Sequence, residues 1–521
     1  MHHSDAGSIK TKSRQDDSLE WQSFYQHPER KLQLIGITGT DGKTTTASIV
    51  QYLLGDSECG YIGTNGVKMA GYVEDIANTT PVPKSLYRIL DQFVQHGATS
   101  AVLELSSEGK VAGRLNDLTF SVVGLTNITS EHLNTHKTWE NYLAAKIAIL
   151  VDQIEPQGAA VLNADDQHYF EVSQQLQQRR PDVQQFTYGF ASSTTTTAPV
   201  LTTTTTSSSS STTSSTTTAA ATTIITAETN SFVIDPSVSS STEADQNYAL
   251  DIEYDELSNS TCNLMDQKYT LCIMNYEFAN GHTLIRFKFG GRTYAVDSPL
   301  LGKYNVENLI CAFLSVYALK ARFLTTVLGK LEEEPPSLPA SLIKGEFCSE
   351  SATVADAFTK DLSHLHIPGR LEIFKTENSP TIIVDYAHTP NGITKLFEAL
   401  PALGEFEHIY SVSGQAGSRD SSKRPEVGRL LAEKSTQVFF TTEDPHWEDY
   451  DNVLKDLTSL VTTSNYQIVL DRYLAIQKAL EIAESQDLVL VLGKGVETTH
   501  DFKGVAVPFS DIDTVKTLLK Y

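Results

Sequence analysis

The chain has 521 residues, with 40 Lys+Arg against 64 Asp+Glu and a formal net charge of −24. This length predicts roughly three domains, and a content of 40 % hydrophobic and 20 % charged residues is ordinary for packed cores in water. The acidic balance argues against a protein that coats nucleic acid, which needs a basic face. No apolar run approaches the roughly 20 residues that span a bilayer.

The opening stretch MHHSDAGSIKTKSRQDD has no apolar core of the signal-peptide kind, and residues 1–30 read as a polar tail. The five cysteines, Cys59, Cys262, Cys272, Cys311 and Cys348, include no CxxC pair, which fits a reducing compartment. The expectation is a cytoplasmic monomer that binds small molecules and neither nucleic acid nor membrane. A local Lys/Arg cluster can still hold an anionic substrate within an acidic protein.

From Lys31 onward, apolar runs such as LQLIGIT, TSAVLEL, FSVVGLTNI and AAVLNA alternate with helical patterns such as ASIVQYLLG and WENYLAAKIAIL. This alternation predicts an α/β fold with a mostly parallel sheet covered by helices on both faces. The segment from Ser192 to Thr223 is nearly all Ser, Thr and Ala. Such a composition cannot offset its ordering entropy, so a disordered insertion is predicted over about 191–267. Strand-like text resumes with YTLCIMNYEF and TLIRFKFGGRTYAV, and the helix NVENLICAFLSVYALKA follows. The loose segment EEEPPSLPASLIKGE then separates a central domain, 31–364, from a second α/β block, 365–521, that contains TIIVDYA, HIYSVSG, QVFFTT and DLVLVLG.

The sharpest local signal is GITGTDGKTTTASIV. A strand ends near Ile37, glycines 36, 39 and 42 permit a tight turn, and a helix starts at Thr44. Such a loop presents backbone N–H groups to phosphates, with Lys43 on the outer phosphates and the Thr44 hydroxyl on Mg²⁺. Gly39, Thr40, Asp41, Gly42, Lys43, Thr44 and Thr45 are the candidate nucleotide-binding residues. The spacing departs from the strict phosphate-loop motif, because Ile37 stands six residues before Lys43.

Together with this loop, NTTP, LELSSEGKVAGR, LTNITSEHLNTHKTWENYLAAK, LNADD, LLGKYNVENLICA, PGRLEIF, VDYAHTPNG, GSRDSSKRP, EDPHWED and GKGVET follow one another in an order that resembles the Mur ligase family, and within it the MurE-type ligases. The resemblance implies a P-loop-containing central domain followed by a Rossmann-like C-terminal domain. It also implies an ATP-dependent acid–amino acid ligase that works through an acyl phosphate and adds the third amino acid to UDP-MurNAc-dipeptide in peptidoglycan precursor synthesis. By the same match, Glu104, His132 and Lys146 would hold Mg²⁺ together with Thr44, with Lys146 carbamylated. Lys43, Glu104, His132 and Lys146 are then the catalytic set. Asn305, Arg370, Asp385 and His388 would contact the nucleotide. Substrate binding would fall to Thr79, Thr80, Ser106, Ser107, Arg114, Arg419, Lys423, Glu443, Asp444, His446, Lys494 and Glu497. Arg424 joins Arg419 and Lys423 in a basic cluster suited to an acidic substrate.

Four departures from the family pattern stand out. Only about 30 residues precede the ATP domain, where the family usually has a domain that holds the UDP group. The SSH motif reads Ser106-Ser107-Glu108, and GKGHE reads GKGVE, with Val496 in place of histidine. The D-N-P-R motif of diaminopimelate-adding enzymes reads Glu443-Asp444-Pro445-His446, so the arginine that would clasp a distal carboxylate is missing. Diaminopimelate is therefore disfavoured, and Glu443 with Asp444 suits a cationic side chain. Two other readings stay open: a ligase of the same fold with a polyglutamate, cyanophycin or folate-type acceptor, and a non-catalytic nucleotide-binding homologue.

Overall fold

The computed structural model describes residues 20–191, 270–333 and 361–520, except Ala77, Asn116, Ser130, His132 and Asn280. The insertion expected at about 191–267 lies outside the described residues apart from Ala191, as does the loose segment from Glu334 onward. The metal-ligand candidate His132 also lies outside them.

The first sheet has eleven strands: β1 (Gln33–Thr38), β2 (Cys59–Gly63), β3 (Gly66–Met69), β4 (Tyr72–Glu74), β5 (Ser100–Glu104), β6 (Phe120–Leu125), β7 (Ile154–Asn163), β8 (Gln184–Phe190), β9 (Leu271–Ala279), β10 (His282–Phe289) and β11 (Arg292–Ser298). Their order is β11-β10-β9-β8-β7-β6-β1-β5-β2-β3-β4. The run from β9 to β2 is parallel, and antiparallel hairpins extend it at both ends.

The apolar run of β1 explains why the sheet is covered on both faces. Ile35 and Ile37 pack with Ala47, Ile49 and Val50 of α1 (Lys43–Leu54) and with Leu309 and Phe313. Leu34 points the other way, with Leu86 and Phe93 of α2 (Pro83–Gln95) and with Leu143 and Ile147. The period-2 alternation of a strand thus feeds two separate cores. Further helices are α3 (Ser107–Val111), α4 (Leu133–His136), α5 (Trp139–Gln153), α6 (Tyr169–Arg179) and α7 (Lys303–Glu333).

The second sheet comprises β12 (Glu372–Phe374), β13 (Thr381–Asp385), β14 (Ile409–Ser413), β15 (Gln437–Phe440), β16 (Tyr466–Ile468) and β17 (Leu488–Leu492), in the order β12-β13-β17-β14-β15-β16. Only β12 runs antiparallel. Leu396 of α8 (Pro390–Ala399), Leu431 of α9 (Arg424–Lys434) and Leu457 of α10 (Tyr450–Thr458) cover one face. Ile476 of α11 (Arg472–Ile482) and Val515 of α12 (Asp511–Leu519) cover the other. A hairpin of β18 (Thr499–Phe502) and β19 (Val505–Pro508) stands apart. All these elements belong to one compact unit. Among the described residues no helix is long and apolar enough to cross a membrane.

One expectation needs correction. The polar tail expected over residues 1–30 is folded in its described part. A helical turn over 20–24 precedes the 3₁₀ turn Pro28–Arg30. Trp21 and Tyr25, four residues apart, pack on the same core as α2. The Gln22 side chain donates to Tyr87 Oη at 2.8 Å and to the Asp117 carbonyl at 3.0 Å.

Candidate active site

β1 runs into the phosphate loop and α1, and the loop backbone is shaped by its neighbours. Gly39 and Gly42 have φ of 143° and 84°. A Cβ on Gly39 would lie 1.9 Å from Thr126 Oγ1, and one on Gly42 would lie 2.2 Å from Asn308 Oδ1. Both positions therefore need glycine for space as well as for backbone freedom. Asp41 N donates to Asn127 Oδ1 at 3.0 Å, and the Asp41 carbonyl accepts from Thr126 Oγ1 at 2.6 Å. Lys43 Nζ turns back onto the loop and donates to the Gly39 and Thr40 carbonyls at 3.0 and 2.7 Å. Thr44 and Thr45 follow in the first turn of α1 and, like Gly42 and Lys43, line the cleft.

Glu104, at the end of β5, is the hub beside this loop. It is 1 % exposed and accepts from Thr44 Oγ1 at 3.0 Å, Thr64 N at 2.9 Å and Tyr61 Oη at 2.5 Å. Thr80 Oγ1 donates to the Glu104 carbonyl at 2.9 Å and pairs with Ser106 Oγ at 3.1 Å. Ser106 caps α3 by accepting from Gly109 N. Arg114 Nη1 donates to the Thr80 carbonyl at 3.0 Å, and Thr79 Oγ1 lies 3.2 Å from Thr64 Oγ1. Ser107 Oγ and His136 Nε2 share a hydrogen bond at 3.0 Å. Glu108 accepts from Thr135 Oγ1 at 2.9 Å.

Lys146, on α5, is 2 % exposed. Its Nζ donates to the Gly39 carbonyl at 2.6 Å and lies over the Tyr142 ring at 5.5 Å. Burial, reinforced by nearby Lys43, holds its ammonium well below the ordinary lysine range, against the pull of Glu131 and Asp41. These surroundings favour the neutral amine over the ammonium more than water does.

The second sheet brings its strand ends to the same cleft. Arg370 donates to Thr44 Oγ1 at 3.2 Å and stacks over the Tyr386 ring at 4.5 Å. Asp385 spends its carboxylate on the backbone N–H groups of Leu371 and Ala387, at 2.6 and 2.7 Å. It thereby fixes the loop that carries Arg370. Its pKa is raised by burial. His388 Nε2 lies 3.7 Å from Glu131, and burial together with Lys423 pushes its imidazole down to about 4. Lys423 Nζ is 3.8 Å from the same Glu131 oxygen. Arg419 lines the cleft. Asn305 donates to the Leu301 carbonyl at 2.8 Å and accepts from Asn308 Nδ2 at 3.2 Å.

The structure corrects the placement of Arg424 in the basic cluster. Its side chain is fully buried and ion-paired to Glu448 at 2.7 Å and Asp456 at 3.0 Å, because position 424 opens α9 and faces α10. Arg419 lines the cleft, and Lys423 reaches the cleft residue Glu131.

The loops after β15 and β17 meet beside it. Lys494 Nζ is buried and donates to both Asp444 oxygens, at 3.1 and 3.0 Å, and to Glu497 at 2.9 Å. Burial lowers the Lys494 pKa, but Glu497 and Asp444 more than offset it. Asp444 is thus already neutralised, and the cationic partner expected for it is this lysine. His446 Nδ1 pairs with Asp501 at 3.3 Å.

Glu443 is 5 % exposed and its Oε2 lacks a hydrogen-bond partner. Burial pushes its carboxyl up to about 7, against Arg472 and Lys494. The raised value means that Glu443 favours the folded state below its unfolded pKa near 4.5, and that this contribution is lost as pH rises through 7. We expect Glu443→Gln to flatten that loss, worth at most ~3 kcal/mol. Denaturant unfolding of both proteins at pH 5 and pH 8 tests this. Equal changes in stability across the two pH values would contradict it.

The donor set suits a nucleotide with a hard cation. Thr44 and Glu104 supply hydroxyl and carboxylate oxygens, the ligand type that Mg²⁺ prefers. Lys146 lines the same cleft, and as an amine it offers no anionic oxygen. Tyr61, Thr64 and Asn127, which hold the hub or the loop, Glu131, which faces His388 and Lys423, and Asn308, which backs Gly42, are not among the residues expected from sequence. Glu131 alone carried a signal, as an acidic residue beside His132. The others belong to no pattern that a single chain displays.

Two family models match, the Mur ligase middle domain over residues 37–234 and the Mur ligase glutamate ligase domain over 369–495. A UDP-N-acetylmuramoyl-L-alanyl-D-glutamate–2,6-diaminopimelate ligase of Chlorobaculum tepidum is 30 % identical over 94 % of this chain and 77 % of its own length. A UDP-N-acetylmuramyl-tripeptide synthetase of Oceanobacillus iheyensis is 26 % identical over 94 % and 78 %. Among solved structures, a Mycobacterium tuberculosis folylpolyglutamate synthase complexed with ADP and AMPPCP superposes with a TM-score of 0.60 at 14 % identity, over 91 % of each chain. A UDP-N-acetylmuramoyl-L-alanyl-D-glutamate–2,6-diaminopimelate ligase gives 0.51 at 22 %, over 96 % of this chain and 82 % of that one.

Proposed function

This chain belongs to the Mur ligase family, and from that premise we propose that it is an ATP-dependent acid–amino acid ligase of the MurE type, acting on a UDP-linked muramyl dipeptide. The single observation that carries the reading is the convergence of Lys43, Thr44, Glu104, Lys146 and Arg370 on one phosphate loop.

The demand of the reaction is charge neutralisation and positioning. A substrate carboxylate oxygen attacks the γ-phosphorus of ATP, the bond to the β-phosphate oxygen breaks, and ADP leaves. The amine nitrogen of the amino acid then attacks the acyl carbon and loses a proton, and orthophosphate leaves. Lys43 releases the Gly39 and Thr40 carbonyls to meet the phosphates, and the loop N–H groups hold them. Arg370 contributes a second cation from the facing lobe. Thr44, Glu104 and carbamylated Lys146, with His132, would hold Mg²⁺, which when bound supplies charge neutralisation at the phosphate oxygens.

The acceptor amino acid would sit at Asp444, Lys494 and Glu497, with the Arg419–Lys423 pair toward the acyl phosphate. Position 446 is a histidine already paired with Asp501, so no guanidinium is present to clasp a distal carboxylate there. We infer an acceptor other than diaminopimelate. Phosphate release from Mg·ATP should need both UDP-MurNAc-dipeptide and one amino acid from a panel that includes diaminopimelate. Release with a pteroyl or polyglutamyl carboxylate instead would move the acceptor to the other class. ATP binding without release under any combination would sink the ligase reading.

A further inference from the structure

Asp41 sits in the middle of the phosphate loop and lines the cleft, and its carboxylate is held from the facing lobe. Its backbone is fixed from the central sheet by Asn127 and Thr126. Its carboxylate reaches across to the start of α8, where Oδ2 accepts from Asn391 Nδ2 at 2.5 Å and Oδ1 accepts from Thr389 Oγ1 at 3.4 Å. Thr389 is the N-cap of α8, accepting from Gly392 N at 2.9 Å, and Pro390 follows it. An anion at this helix start is favoured by the helix dipole, whereas the same anion turned toward a triphosphate would oppose binding.

We propose that Asp41 is a positioning residue that ties the phosphate loop to the second lobe, so that closure and nucleotide binding share one contact. The proposal rests on the ATP-loop reading above and adds to it what sets the closed geometry. Arg370 can bond Thr44, and His388 can approach Glu131, only while the lobes are held at this separation.

The test uses the full chain and three variants. Asn391→Asp sets two carboxylates against each other, Asp41→Ala removes the acceptor, and the exchange Asp41→Asn with Asn391→Asp restores one carboxylate and one amide. Calorimetric binding of ATP and small-angle X-ray scattering of the ligand-free protein are read for each, with melting curves to confirm folding. We expect Asn391→Asp and Asp41→Ala to weaken ATP binding about tenfold or more, and the exchange to recover most of it. The radius of gyration should rise in the single variants and return in the exchange. An unchanged radius and affinity in Asn391→Asp, or an exchange that recovers neither, overturns the proposal. Failure of the wild type to bind ATP would instead overturn the ATP-loop reading. Asp41→Ala keeps the test decisive if Asn391→Asp does not fold.

Discussion

Lys43→Ala should abolish ATP turnover, with a loss of at least about a thousandfold, while the protein stays folded. Lys43 is the first residue of α1, and its ammonium bonds the Gly39 and Thr40 carbonyls of the loop. Deleting it removes two hydrogen bonds from a half-buried group, each worth about 1 kcal/mol net. The loop keeps its shape through other contacts. Thr40 N donates to the Asn127 carbonyl, Thr40 Oγ1 bonds the Thr129 carbonyl, and Asp41 is held from both sides. What disappears is the cation that a γ-phosphate needs as its charge moves onto a carboxylate. Phosphate release and a melting curve on the same preparation check the two halves of this expectation. Turnover like that of the wild type would remove this loop from the ATP site.

The contrast between Lys43 and Arg424 shows what could be read in advance. Lys43 sits in a glycine-spaced turn between a buried strand and a helix, so sequence order fixes its direction. Arg424 sits in an equally basic stretch, but its direction is set by Glu448 and Asp456, 24 and 32 residues further on. The apolar runs made the central strands legible because β1, β5, β6, β13, β14 and β17 are short and largely buried. Strand order was not legible, since β1 finds its partners β5 and β6 through contacts more than 60 residues away. The same holds for the hub. Glu104 could be named from its motif, but Tyr61 and Thr64 reach it from β2 and the turn that follows, which carry no chemical spacing of their own. Asp444 shows the opposite failure. Its carboxylate was legible and its partner was not, because Lys494 lies 50 residues away and closes on it only when β15 and β17 share a sheet.

Lys146→Arg and Lys146→Ala should both lose turnover by about a thousandfold or more, and the arginine variant is the informative one. If Lys146 served as a cation, arginine would retain the charge and part of the activity. The geometry argues otherwise. The amine is buried on α5 beside Lys43, with a carbonyl and a hydroxyl as its bonding partners. A second ammonium there is opposed by burial and by Lys43, and Glu131 and Asp41 offset only part of this. A neutral amine in that place can add to CO₂: nitrogen attacks carbon, a proton leaves the nitrogen, and a carbamate anion results. That converts a would-be cation into an anionic oxygen donor lining the same cleft as Glu104. Arginine cannot follow this route. Turnover by the wild type should therefore fall in CO₂-stripped buffer and return with bicarbonate, and ¹³C-bicarbonate should give a carbamate resonance that is absent from both variants. Full turnover in Lys146→Arg, or a bicarbonate-independent wild type without that resonance, would leave Lys146 as a buried structural amine that caps Gly39.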